Sequence, residues 1–226
     1  MRVHVAFTPD EAFAAPLAIV VDVLRASSSI AQALASGYRT ILCCTEIEDA
    51  RRLRGEVPDS LVGGERNAQR VDGFDVGASP REFLEPRAET LILSTTNGTR
   101  TILTAAARCD EVVLGSLLNL DAVVEAARSR DADVAVVCAG FKGAFALDDA
   151  YCAGRIVALL DGERTDAAIA SELVARAFAD PLTALNARTY GPPGLEEDIL
   201  FCSRESVVAV VPRFSRMVDV AAEIVA

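Results

Sequence analysis

The chain has 226 residues, enough for one large α/β domain with a substantial core or at most two small ones, and a single domain spanning 1–226 is expected. Hydrophobic residues make up 51% of it, mostly Ala and Val dispersed along the chain, and no run approaches the ~18 to 20 apolar residues of a membrane span. A formal net charge of -11 argues against a nucleic-acid partner, which would need a clustered basic face, and is compatible with an enzyme that uses a metal on a small anion.

The N-terminus MRVHVAFTPDEAF lacks the layout of a secretory signal, so a cytoplasmic protein with no membrane partner is expected. Val3 to Phe7 reads as a first extended segment and TPDEAFAAP as a loop. The run LAIVV from Leu17 is short, apolar and rich in β-branched residues, the pattern of a strand buried on both faces of a parallel sheet. It stops at Asp22. Arg25 follows, then Ser27, Ser28 and Ser29, any of which can cap a helix that Ile30 to Ala35 continues until Gly37 ends it. One strand-to-helix turn thus offers a carboxylate, a guanidinium, hydroxyls and free backbone N–H groups, which together can hold a phosphate and a divalent metal.

A strand over Thr40 to Cys44 precedes a helix EIEDARRLR capped by Thr45, and Ser60 to Gly63 reads as a third short strand. It empties into the longest irregular stretch, Gly63 to Phe83, where Val71 and Phe74 favour an ordered loop packed on the body. The pattern then becomes regular: strand ETLILST, helix Thr101 to Ala107, strand EVVLGS, helix DAVVEAARSR capped by Asn119 or Asp121, and strand DVAVVCAG. Such units build a parallel sheet through right-handed crossovers. After the loop FKGAFAL, Asp148 and Asp149 open the helix DDAYCAGRIVALL. Helices follow at Ala167 to Phe178 and Thr183 to Ala187, then a GPPG turn, an acidic helix EEDILFCSRE and a last strand, Val207 to Val211.

Ligands of an open parallel sheet bind beyond the carboxyl ends of its strands. Five polar clusters fall there: Asp22 with Arg25, Glu65 with Arg66, Thr95 to Gly98, Gly115 with Ser116, and Ala139 to Lys142 with Asp148 and Asp149. Familiar phosphate devices are absent, since no GxxxxGK or GxGxxG string occurs. The one histidine, His4, sits in an apolar strand. The six cysteines form no CxxC pair and read as buried thiols of a reducing compartment, and neither Cys138 nor Cys152 has an arginine six positions on. Metal-assisted hydrolysis on a carboxylate cluster remains, with Mg²⁺ as the expected cofactor. Asp22, Glu65 and Asp75 are candidates for base or nucleophile, and Asp22, Glu65, Asp148 and Asp149 for metal ligands, the division between the two roles staying open. Arg25, Ser28, Arg66, Thr95, Thr96, Asn97 and Lys142 are candidates for holding the anion. The plainer alternatives are a Glu65–Arg66 ion pair bracing the loop and Asp148 as a helix cap.

The strings VDVLRASSSI, GERNAQRVDGFDVGASP, STTNGTR, GSLLN, CAGFKGAFALDDAYCAG and GLEEDILFC, in that order, resemble the 2-phosphosulfolactate phosphatase family from about Ala18 to Pro212. The resemblance implies a three-layer α/β/α sandwich around a largely parallel, or mixed, sheet. It also implies a Mg²⁺-dependent phosphatase that releases phosphate from 2-phosphosulfolactate on the route to coenzyme M. Two departures stand in the long loop: Ala78 where the family pattern usually has Asn, and Ala68 where it has Gly. They bear on which substrate is used. The alternatives are a phosphatase of the same family with another phospho-hydroxy-acid substrate, or a sensor or carrier that binds an anionic metabolite without hydrolysis. The acidic C-terminal half is a candidate surface for a homodimer.

Overall fold

A computed structural model describes all residues 1–226. The chain runs β1 (Arg2–Ala6), β2 (Leu17–Val21), α1 (Ala26–Ser36), β3 (Thr40–Cys44), α2 (Ile47–Glu56), β4 (Ser60–Arg66), β5 (Gln69–Arg70), β6 (Thr90–Ser94), α3 (Gly98–Ala106) and β7 (Glu111–Gly115). It continues through α4 (Leu120–Arg130), β8 (Val134–Cys138), α5 (Leu147–Leu159), β9 (Glu163–Arg164), α6 (Asp166–Arg176), α7 (Pro181–Asn186), α8 (Glu196–Cys202), β10 (Arg213–Val218) and β11 (Ala221–Val225). The strands form one mixed sheet in the order β5-β4-β6-β3-β11-β10-β7-β2-β8-β1-β9.

Two parallel blocks make up this sheet. In one, β4, β6 and β3 pair side by side; in the other, β7, β2, β8 and β1 do. The hairpin of β10 and β11 joins them, β11 antiparallel to β3 and β10 touching β7 through Arg213 and Val113. The expected last strand at Val207 to Val211 is therefore a correction. That segment has no strand pairing; Ser206 and Val208 donate backbone N–H bonds to the Leu117 and Leu118 carbonyls in the turn between β7 and α4, and the true strands lie beyond it. The half-exposed residues of β10 and the alanines of β11 hide the usual alternation, and a long-range antiparallel insertion leaves no local turn signal.

Alternate residues of β2 feed opposite layers. Leu17, Ile19 and Val21 pack with α4, α5 and α6 in one core, whereas Ala18 and Val20 pack with α1, α3 and Ile224 of the hairpin in the other. A smaller cluster seats α2 on Leu42, Val62 and Ile92. The three-layer α/β/α expectation thus holds. Some boundaries move. The first helix starts at Ala26, so Ser27, Ser28 and Ser29 are buried inside its first turn, and α2 follows Glu46 in place of a Thr45 cap.

β2 and β8 are adjacent, yet the chain leaves them in opposite directions. From β2 it passes through α1 on one face to β3, and from β8 through α5 on the other face to the β9 edge. This is the topological switch point where doubly wound sheets open a crevice. If the hairpin is the seam between the two blocks, truncating its fully buried Ile224 will cost about 2 to 5 kcal/mol. Urea denaturation of Ile224→Ala measures it, and a loss below about 1 kcal/mol would make the hairpin peripheral.

Candidate functional site

The crevice holds a pocket of about 380 Å³ lined by residues from six separate parts of the chain. Its floor is Asp22, immediately after β2, and Asp148, in the first turn of α5. Asp22 is oriented by the backbone: its Oδ1 accepts the Ala26 N–H at 3.1 Å, and Ser27 Oγ donates to the Asp22 carbonyl at 2.8 Å. No protein donor reaches Asp22 Oδ2. The N-terminus of α3 lies against that atom, because Gly98 brings no side chain; a Cβ there would stand 2.7 Å from Oδ2 and 2.4 Å from the Ala26 Cβ. Asp148 accepts the Asp149 N–H and the Tyr190 hydroxyl through Oδ1, leaving its Oδ2 without a protein donor as well.

Asp149 has a different place. Its two oxygens accept the N–H groups of Val23 and Gly140, at 2.9 and 3.0 Å, and the side chain braces the turns after β2 and β8 without lining the pocket. Both of its oxygens are therefore committed within the protein. Glu65 does line the pocket, but Oε1 accepts from the backbone N–H and hydroxyl of Thr96, and Oε2 from the Ala68 N–H. It ties β4 to the turn after β6. It makes no ion pair with Arg66.

The electrostatics follow from burial. Asp22 is pushed up to about 7, first by desolvation and then by the charges of Asp148 and Glu65, against the pull of the Ala26 N–H and Arg25. Asp149 is raised well above the carboxylate range by burial and by its two neighbouring acids, and burial also raises Asp148, against the hydrogen bond from Tyr190. Burial likewise lifts the Cys138 and Cys152 thiols well above their ordinary value, so neither offers a thiolate.

Several expected residues stand elsewhere. Asp75 lies outside the pocket, paired with Arg54 at 3.0 Å and accepting the Val62 N–H. Arg66 gives its guanidinium to the carbonyls of Glu65 and Thr45 and to Ser94 Oγ, and Ser28 donates to the Val23 carbonyl. Arg25 reaches the pocket but pairs with Asp198 of α8 at 2.6 Å and donates to the Ala68 carbonyl. Thr95, Thr96 and Asn97 do line it. Thr95 Oγ1 accepts from Thr99 N–H within α3 and Thr96 is held by Glu65, so Asn97, whose side chain caps nothing, is the uncommitted donor. Lys142 lines the pocket from the loop after β8.

Sequence reasoning missed Asn67, Phe141, Arg188, Tyr190 and Leu195, which close the rim. The GPPG turn was the only signal near Arg188 and Tyr190, and a turn signal says nothing of which way its neighbours point.

Comparison with known proteins places the chain among phosphatases. Residues 4–216 match the family described as 2-phosphosulpholactate phosphatase. A protein of Pseudothermotoga lettingae named as a probable 2-phosphosulfolactate phosphatase is 37% identical over 218 residues, covering 94% of this chain and 95% of that one. The 2-phosphosulfolactate phosphatase of Methanothermobacter thermautotrophicus is 36% identical over 216 residues, 94% of this chain and 92% of its own.

The raised carboxyl of Asp22 fixes the sign of a pH effect. A folded-state value near 7 against an ordinary 3.8 means that folding takes up a proton between those values, so stability falls as pH rises from about 4 to about 7. In chelator, Asp22→Asn is expected to raise the melting temperature by more at pH 8 than at pH 4.5. A gain that does not change with pH would show that Asp22 titrates normally.

Proposed function

This chain belongs to the 2-phosphosulfolactate phosphatase family, and from that membership we propose that its pocket hydrolyses a small acidic phosphate monoester with Mg²⁺, 2-phosphosulfolactate being the first candidate. The chain is a phosphoric monoester hydrolase by its family and relatives. The observation that supports the cofactor is the pair of unpartnered oxygens, Asp22 Oδ2 and Asp148 Oδ2, in a pocket where the arginine whose charge acts on Asp22, Arg25, is already paired with Asp198.

The donor set fits a hard cation. No three acidic, histidine or cysteine groups converge into a complete cage, and Mg²⁺ characteristically takes one or two carboxylates and fills its remaining positions with water and substrate phosphate. Asp22 and Asp148 would hold it through their free oxygens. When bound, the cation offsets the crowded acids and draws charge from the phosphoryl oxygens.

The protein's own groups do the rest. Hydrolysis joins a water oxygen to phosphorus, breaks the ester P–O bond and returns a proton to the departing alcohol. Of the three candidates for base or nucleophile, Asp22 alone brings an uncommitted oxygen, Oδ2, into the pocket; the Ala26 N–H orients the carboxylate through Oδ1, and Oδ2 serves as base only when it is not holding the cation. Asn97, immediately before α3, lines the same space and can donate to phosphoryl oxygens. Glu65 acts at one remove by fixing Thr96 and the Ala68 turn.

On this reading turnover disappears in excess chelator and returns with Mg²⁺, as phosphate release will show. Asp22→Asn should lower kcat by about 10²-fold or more, while Asp75→Asn, outside the pocket, should stay within about 3-fold of the parent. Full activity in chelator would remove the metal, and equal losses in the two variants would remove the distinction between the carboxylates.

A further inference from the structure

Three cations line the pocket: Arg25, Lys142 and Arg188. Arg25 is neutralised by Asp198. Lys142 and Arg188 have no carboxylate within ion-pair distance, so these two are the pocket cations not bound in an ion pair.

Arg188 is held without being satisfied. Its Nη1 donates to the Tyr190 carbonyl at 2.6 Å, while Nε is buried with no partner. A buried guanidinium N–H left unpaired is costly, and the planar fork of arginine offers Nε and Nη2 on one edge, spaced for two oxygens of a single anion. Gly191, at φ +90°, makes room for this arrangement: a Cβ there would lie 2.4 Å from Arg188 Nη1. The guanidinium is therefore seated by the backbone through Nη1, with the buried Nε and with Nη2 left without a protein acceptor.

Arg188 and Lys142 belong to one wall. The Phe141 and Tyr190 rings stack with centroids 4.8 Å apart, the Lys142 Nζ stands 5.4 Å from the Phe141 ring, and the Tyr190 hydroxyl meets Asp148. The wall adjoins the acids, and the Arg188 charge works against the rise of the Asp148 carboxyl. A ligand whose phosphate lies by Asp22, Asp148 and Asn97 would bring its other end against it.

We propose that Arg188, assisted by Lys142, is the subsite for a second anionic group of the substrate, a carboxylate or sulfonate, and that it makes the enzyme select phosphate monoesters bearing such a group. This rests on the phosphatase reading of the same pocket and assigns to Arg188 the discrimination that Arg25 and Arg66, both committed elsewhere, do not supply.

The test compares the parent, Arg188→Ala and Arg188→Lys on 2-phosphosulfolactate, 2-phospholactate, 2-sulfoethyl phosphate and p-nitrophenyl phosphate. Loss of a charge-assisted contact predicts a fall in kcat/KM of roughly 10- to 150-fold on 2-phosphosulfolactate, carried mainly by KM. That fall should be at least tenfold greater than the fall on p-nitrophenyl phosphate, with Arg188→Lys in between; 2-phospholactate and 2-sulfoethyl phosphate show which oxyanion is read. Proportional losses on all four esters overturn the subsite. Should Arg188→Ala fail to fold, the Arg188→Lys ratio decides alone. If the parent hydrolyses no ester, the phosphatase reading falls, and calorimetric titration with sulfolactate tests the subsite separately. Binding by the parent that is lost in Arg188→Ala supports it, and equal binding or none by both overturns it.

Discussion

The molecule is built around three carboxylates that its fold buries side by side. Asp148 and Asp149 occupy the first turn of α5, where the helix dipole favours negative charge. Adjacent helical residues point about 100° apart. When Asp149 turns inward to take the N–H groups of Val23 and Gly140, Asp148 is therefore left facing the crevice. The same two hydrogen bonds join the turn after β2 to the turn after β8. Burying the acid thus closes the switch point structurally and at once loads it with charge. The raised carboxyls of Asp22, Asp148 and Asp149 are the electrostatic cost, and such perturbed groups gathered in a crevice mark a candidate functional site.

A second constraint holds the wall of the pocket. Arg25 and Asp198 are nearly buried, with side-chain exposures of 9% and 7%, and Asp198 also accepts the Ser79 hydroxyl at 2.6 Å. Breaking such a pair by removing one partner typically costs about 3 to 5 kcal/mol, because the other charge is left stranded. The pair links the turn after β2, the long loop and α8, three segments far apart in sequence. An arginine three residues after a catalytic-looking aspartate invites a role in anion binding, yet here the guanidinium is a strut. Geometry, not residue type, separates the two.

What the sequence made legible follows from this distinction. Buried strands announce themselves by composition, so β2, β3, β6, β7 and β8 were readable, as were the polar turns at their carboxyl ends and hence Asp22, Asp148, Thr95 and Asn97. The direction in which a side chain leaves its turn is fixed by tertiary contacts. For that reason Asp75, Arg66 and Ser28 looked equivalent to pocket residues while their hydrogen bonds turn them toward the body. The β10–β11 hairpin escaped because its pairing with β3 spans most of the chain, and Arg188 and Tyr190 because an irregular loop has no period to place them.

Ala68 and Ala78 show how the long loop connects these two levels. Both line the pocket, and the backbone of each is used: Ala68 accepts from Arg25 and donates to Glu65, and Ala78 accepts from Ser29 Oγ at 2.7 Å. Ala68 holds φ at 61°, a left-handed conformation that costs a residue with a Cβ roughly 1 to 2 kcal/mol and costs glycine little. A glycine at this position would hold the same backbone more easily, and the alanine adds a methyl group at the rim at the expense of strain. The hydrogen bonds that aim Arg25 and Glu65 come from the main chain and survive the exchange. Variation at Ala68 and Ala78 can therefore reshape the space offered to the substrate's tail while the acids of the floor keep their positions, which is the division expected when loops set specificity on a rigid sheet.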